Sequence, residues 1–136
     1  MLKDRIRGYF LDQDYNCAET MARAASAEYG LELDSQALAL LSGFGFGLGC
    51  KRTCGALCGG LAALSALTVN GRAHNTPGFN EQNAAYVARF EEQLGSIQCD
   101  ELMARYRTPE ERCLHTVELA ADVLESFIAD RQISAS

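Results

Sequence analysis

The residues in this 136-residue chain whose type and spacing point to a definite chemistry are its six cysteines. Cys50, Cys54 and Cys58 fall four apart in and before the stretch Cys54-Gly55-Ala56-Leu57-Cys58-Gly59, while Cys17, Cys99 and Cys113 lie far away in sequence. Thiolates ligate soft metals and iron-sulfur clusters, and they exchange with disulfides. The pattern therefore predicts a thiol or metal site assembled from distant segments.

Cysteines four apart on a helix share a face, so Cys54 and Cys58 could both touch one metal ion or small cluster. Their nearly parallel Cβ directions disfavour a disulfide between them. Cys-x-x-Cys occurs nowhere in the chain, which counts against a zinc ribbon and a thioredoxin-like dithiol. A single free cysteine commonly packs as a small hydrophobe, so the reading depends on several of them converging.

The elements that must position these thiols read as helices. Leu2, Ile6 and Tyr9 or Phe10 suggest a short amphipathic helix ending near Asp12 to Asp14. Asn16-Cys17-Ala18-Glu19 resembles a capping box, which places Cys17 at the first position of a helix running to Tyr29 with Gly30 as its left-handed stop. Asp34 can cap a third helix through Leu38 and Leu41 that ends at Ser42-Gly43. In Gly43-Phe44-Gly45-Phe46-Gly47-Leu48-Gly49 four glycines weaken any strand, and the stretch is expected to be an irregular, partly buried segment where backbone approaches something closely.

The central helix is expected to start at Thr53 as N-cap, which puts Cys54 at its first position, and to stop at Asn70-Gly71 with Leu57, Leu61, Leu64 and Leu67 on one stripe. Gly55, Gly59 and Ala63 lie four apart along it and would let a helix or a cofactor come unusually near, so Gly55 and Gly59 are the expected cofactor contacts. A further helix begins near Asn80, with Val87, Phe90 and Leu94 inward, and closes at Gly95. Gln98-Cys99-Asp100-Glu101 starts a short helix with acids in its first turn. Thr108-Pro109-Glu110-Glu111 combines an N-cap, a first-position proline and glutamates, so the last helix is expected to start there and run to about Ala129. Cys113, Val117, Ala120, Leu124 and Phe127 or Ile128 would form its inner face. The prediction is an all-α, single-domain bundle of about six helices, residues 1–136, with the glycine-rich segment preceding the central helix.

Length and composition fit one globular unit. No apolar run approaches the roughly 20 residues of a membrane span, and the start of the chain does not read as a signal peptide. A cytoplasmic location is expected, where thiols stay reduced and serve metal binding, redox chemistry or packing. The formal net charge of -6, with no basic run longer than Lys51-Arg52, argues against nucleic acid and an anionic membrane as partners. His74 falls in a polar loop and His115 on the polar face of the last helix beside Glu111, Glu118 and Asp122, so neither is read as a base or ligand. The glycine run does not complete a nucleotide-binding loop.

Asn16-Cys17, Cys54-Gly55-Ala56-Leu57-Cys58-Gly59, Cys99 and Cys113 together resemble the C_GCAxxG_C_C family of redox-active proteins, named for its cysteine signature, over nearly the whole chain. The resemblance implies a small redox protein, and a similar domain occurs in split-Soret cytochromes, where an iron-sulfur centre is associated with it. By that analogy Cys17, Cys54, Cys99 and Cys113 would be the metal ligands, while Cys50 and Cys58 fall outside the signature positions. The leading expectation is a cluster, [2Fe–2S] in type, held for electron transfer with an unidentified redox partner protein, in an electron-transfer or metal-binding protein rather than a turnover enzyme. The alternatives are thiol/disulfide chemistry with Cys54 as thiolate and a second cysteine such as Cys58 resolving it, or a structural zinc site. A homodimer is compatible with the apolar, glycine-bearing central helix.

Overall fold

The computed structural model describes residues 1–134, and its regular elements are helical. Six α-helices occur among the described residues: α1 (Cys17–Tyr29), α2 (Ser35–Ala39), α3 (Gly55–Thr68), α4 (Phe79–Leu94), α5 (Cys99–Tyr106) and α6 (Leu114–Asp130). The chain is therefore all-α, as its periodicities predict. The first segment is less regular than expected: a 3-10 turn over Leu2–Arg5 leads into a π-helical turn over Gly8–Asp12. Leu2, Ile6 and Phe10 nevertheless reach the core.

Local sequence grammar accounts for several helix ends. Asn16 caps α1 by accepting from the Glu19 N–H at 3.0 Å, and the Glu19 carboxylate accepts in return from the Asn16 N–H at 3.0 Å. Gly30 and Gly95 close α1 and α4 in the left-handed conformation, at φ 64° and 94°. Asp34 caps α2 by accepting from the Ala37 N–H, but α2 stops at Ala39, and a 3-10 turn over Ser42–Phe44 replaces the expected extension through Leu41. The fourth helix starts at Phe79 behind a left-handed Gly78, slightly ahead of Asn80.

Two starts differ from expectation, and both matter for the cysteines. In α3 the N-cap is Cys54 itself, with Gly55 as first helical residue, because Thr53 is drawn into an antiparallel bridge with Gln98. The last helix begins at Leu114 with Cys113 as its N-cap, not at Pro109. The side chain of Thr108 does cap a turn, accepting from the Glu111 N–H, but reciprocal backbone bonds between Thr108 and Arg112 close that turn on itself. Arg112 sits at φ 56°, and its guanidinium donates to Asp14 and to the Phe10 carbonyl, so the helix must start afresh beyond it.

The core lies between α1, α3, α4 and α6. The most extensive helix contact is α1 on α3. Gly59 makes it possible: a Cβ there would stand 2.6 Å from the Ala18 carbonyl oxygen and 2.7 Å from the Met21 Cβ. One residue on, the bare Cα of Gly60 receives the hydroxyl end of Tyr86. The Tyr86 ring packs edge-on against Phe127, with centroids 5.4 Å apart, and joins α4 to α6. Of the stripe expected on α3, Leu57 and Leu64 are buried while Leu61 and Leu67 are half-buried at its margin.

Candidate functional site

Cys17, Cys54, Cys99 and Cys113 border one cavity of about 300 Å³. Each comes from a different helix and stands at its N-terminus: Cys17 and Cys99 as first residues of α1 and α5, Cys54 and Cys113 as N-caps of α3 and α6. Helix starts leave backbone N–H groups without intrahelical partners; at Cys17 and Cys54 such groups reach the sulfur. Cys58, one turn along α3, does not line the cavity, and neither does Cys50, which is exposed in the glycine segment. All six cysteines are free thiols.

A short pairing holds two of these helix starts side by side. Around the Thr53–Gln98 bridge, the Cys54 N–H donates to the Ile97 carbonyl at 2.8 Å and the Cys99 N–H to the Arg52 carbonyl at 2.6 Å. Cys54 and Cys99 are thereby fixed through backbone rather than side-chain contacts. The glycine segment presses on the same place. A Cβ on Gly55 would meet the Cys17 Sγ and the Phe44 carbonyl oxygen at 2.6 Å each, and one on Gly47 would meet the Cys99 Cβ at 2.5 Å. Gly55 thus lines the site, whereas Gly59, also expected there, serves the α1–α3 crossing instead.

Asn16 has a third bond beyond the capping box, its side-chain amide donating to the Ser42 carbonyl at 2.9 Å. It ties the start of α1 to the glycine segment next to Cys17. Asn16→Ala is expected to lower stability by about 1–2 kcal/mol in denaturant unfolding, the upper part of the usual range for a lost cap, because two bonds go together.

Burial and mutual repulsion act together on the thiols. Burial, and after it the Cys17 sulfur, push the Cys54 thiol up to about 12. Cys99 is raised to about 11 by burial and then by Cys113 and Cys17. Cys17 is raised by burial, opposed by the backbone N–H of Phe46, with Cys113 adding to the rise. The four sulfurs are thus linked electrostatically. The N–H groups of Leu57 and Ala56 pull the Cys54 value down, as a helix start should, but burial wins. Cys58 is raised by burial and by Cys17.

The sign of the pH dependence follows. The folded metal-free protein keeps protons on Cys54 and Cys99 that the unfolded chain releases near pH 9, so stability is complete below that pH and falls as pH rises through about 11 and 12. The slope is at most about 1.4 kcal/mol per pH unit for each thiol. Thermal melts of the reduced, metal-free protein between these limits are expected to show this decline, with a shallower slope for Cys54→Ala.

Several residues at the cavity had no signal in the sequence. Arg107 donates to the Cys113 Sγ at 3.4 Å, and the Cys99 thiol lies 3.6 Å from the Met103 sulfur. Thr116, one turn into α6, lines the cavity with a buried hydroxyl that has no hydrogen-bond partner. Phe46 completes the rim. His74 is exposed, and so is His115, whose ring meets Tyr106 edge-on at 5.3 Å. No group of three or more His, Cys, Asp or Glu among the described residues is placed to hold a single metal ion. No helix among them is long and apolar enough to cross a membrane.

Two buried and two half-buried thiols at four helix starts, in an all-helical fold, make up the candidate site. The sequence profile of the family described as "Putative redox-active protein (C_GCAxxG_C_C)" matches residues 15–127, and the chain belongs to that family. Membership supports a general redox role. No curated protein and no solved structure matches the chain.

Proposed function

We propose that the protein is an electron-transfer protein whose cysteine cavity holds an iron-sulfur cluster of the [2Fe–2S] type through Cys17, Cys54, Cys99 and Cys113. The observation that carries this reading is the bordering of one cavity by these four thiols, each from a separate helix start. The residues fit such a group on three counts. The space of about 300 Å³ exceeds what one ion needs, and the thiols surround it instead of meeting at a point. Thr116 offers a buried hydroxyl in need of an acceptor. The N–H of Phe46, with those of Ala56 and Leu57, favours charged sulfur at Cys17 and Cys54.

A bound cluster would supply a one-electron couple. The chain does the rest. Cys17 and Cys54 would give up their protons on ligation, and the nearby N–H groups would stabilise the charged sulfurs. Gly55 and Gly47 keep side-chain bulk away from Cys17 and Cys99, so the glycine segment can seal the cavity with backbone. Phe10 and Leu102 give the cavity apolar walls, and Phe46 stands at its rim. Thiol/disulfide exchange starting at Cys54 is less well supported, because a buried thiol raised to about 12 carries little thiolate at neutral pH. A zinc site is also less well supported, since one ion would require the cavity walls to collapse on it.

Anaerobic purification followed by iron, sulfide and zinc analysis with visible absorption tests the reading. About two irons and two sulfides per chain are expected, with a chromophore that dithionite bleaches. Metal-free protein in which all six thiols titrate freely in the native state would overturn it.

A further inference from the structure

We propose that segment 40–52 is the docking surface for an acidic electron-carrier protein. Its chain is folded with the usual pattern inverted. Gly45 and Gly47 are buried against the cysteine site, while Phe44, Phe46 and Leu48 between and beside them are 41%, 48% and 45% exposed, and Leu40 nearby is 73% exposed. Phe46, Leu48 and Lys51 hold left-handed backbone at φ 53°, 63° and 61°, a conformation that side-chain-bearing residues adopt only under constraint. Here that constraint turns apolar side chains outward, and nothing in the described chain covers them.

The charge around the patch selects its occupant. All 18 acidic residues lie outside residues 35–80, while Lys51 and Arg52 are exposed within the patch and the Lys51 ammonium sits 5.7 Å above the Phe46 ring. The molecule is otherwise acidic, with a net charge of -6, so an acidic partner is repelled by most of its surface and attracted here. A second copy of this chain fits worse, since a two-fold contact would set Lys51 and Arg52 against their own counterparts. Four apolar side chains also make a small patch beside the roughly 800 Å² per partner of a lasting interface, and small interfaces are the habit of electron-transfer encounters. Phe46 belongs both to the patch and to the rim of the cavity, so a partner seated on it stands next to the cysteines.

The proposal rests on reading the cavity as an electron-transfer centre, but docking is measurable without it. The anaerobically purified protein is titrated by calorimetry and NMR with two acidic carriers, a plant-type [2Fe–2S] ferredoxin and a flavodoxin, and with a basic c-type cytochrome as charge control. At least one acidic carrier is expected to bind, and to bind at least about tenfold more weakly when salt rises from about 20 to about 500 mM. Lys51→Glu with Arg52→Glu should weaken it by at least about tenfold. Leu48→Gly should weaken docking while leaving thermal stability equal or higher, because it removes a left-handed side chain. Opposite signs in that one variant separate lost docking from lost folding.

Failure of both acidic carriers to bind overturns the proposal. So does binding that all these variants leave unchanged, or a dimer of this chain, or attachment to anionic phospholipid vesicles, that Leu48→Gly disrupts in place of carrier binding. A chain that docks the carrier yet holds no redox centre overturns the electron-transfer reading alone. One that dithionite reduces but no acidic carrier binds overturns the docking alone.

Discussion

Cys54→Ser is expected to remove nearly all bound iron and sulfide, to below about a tenth of the parent content, while the fold is kept. The two halves of that expectation have separate causes. Serine is a poor ligand for iron beside thiolate, and the cavity holds no spare sulfur at that position, because Cys58 does not line it. Cys54 is also the N-cap of α3, a position at which serine is among the preferred residues, so the metal-free variant should melt at or slightly above the temperature of the metal-free parent. Cys58→Ser is the control. It should retain most of the iron, and an equal loss in both variants would show that the ligand set differs from Cys17, Cys54, Cys99 and Cys113. Iron analysis, visible absorption and thermal melts of the two proteins side by side decide the matter.

Gly59→Leu is expected to cost about 3 kcal/mol or more, enough to unfold a marginal protein. Even Gly59→Ala shows which effect dominates. Alanine gains up to about 1 kcal/mol in helix propensity over glycine. Against that, its Cβ would stand 2.6 Å from the Ala18 carbonyl oxygen, which is backbone inside α1 and has nowhere to go. Overpacking of this kind costs about 1–3 kcal/mol, so the alanine variant should come out less stable despite its better propensity. Denaturant unfolding at fixed pH measures both, and a Gly59→Ala protein more stable than the parent would mean that α1 and α3 can separate without loss.

Those two glycine-bearing positions also show where sequence reading stops. Gly55 and Gly59 are four apart on one helix, and nothing in the chain distinguishes them. Only the packing does, since the first residue of α1 and the glycine segment converge on Gly55 while the body of α1 crosses at Gly59. Where the chemistry is local, the sequence was enough: Asn16 and Glu19 fix the start of α1, and with it the place of Cys17, through bonds three residues apart. The start of α6 differs from the expected one because its determinant is distant. Thr108-Pro109-Glu110-Glu111 has every local mark of a helix start, yet Arg112 is held by Asp14 and Phe10 from the other end of the chain, and Cys113 becomes the N-cap instead. The Thr53–Gln98 bridge left no trace either, since so short a pairing produces no alternating pattern. The exposed Phe44, Phe46 and Leu48 run against the expectation that apolar residues point inward, so their exposure is not legible in the sequence.

The four helix starts around the cavity amount to a counter-ion built from backbone. The N-terminus of a helix carries the equivalent of about half a positive charge, so the starts of α1, α3, α5 and α6 together present about two. If the proposed cluster is bound, four thiolates around two ferric ions and two sulfides sum to about two negative charges, which peptide dipoles would neutralise with no buried lysine. One further electron would exceed what the dipoles balance, and Arg107 beside Cys113 and Lys51 near Cys99 are cations placed to meet it. Being exposed to solvent, they would make the ease of reduction sensitive to ionic strength and to whatever settles over Lys51. The same lysine that would greet a partner would then also sense its arrival.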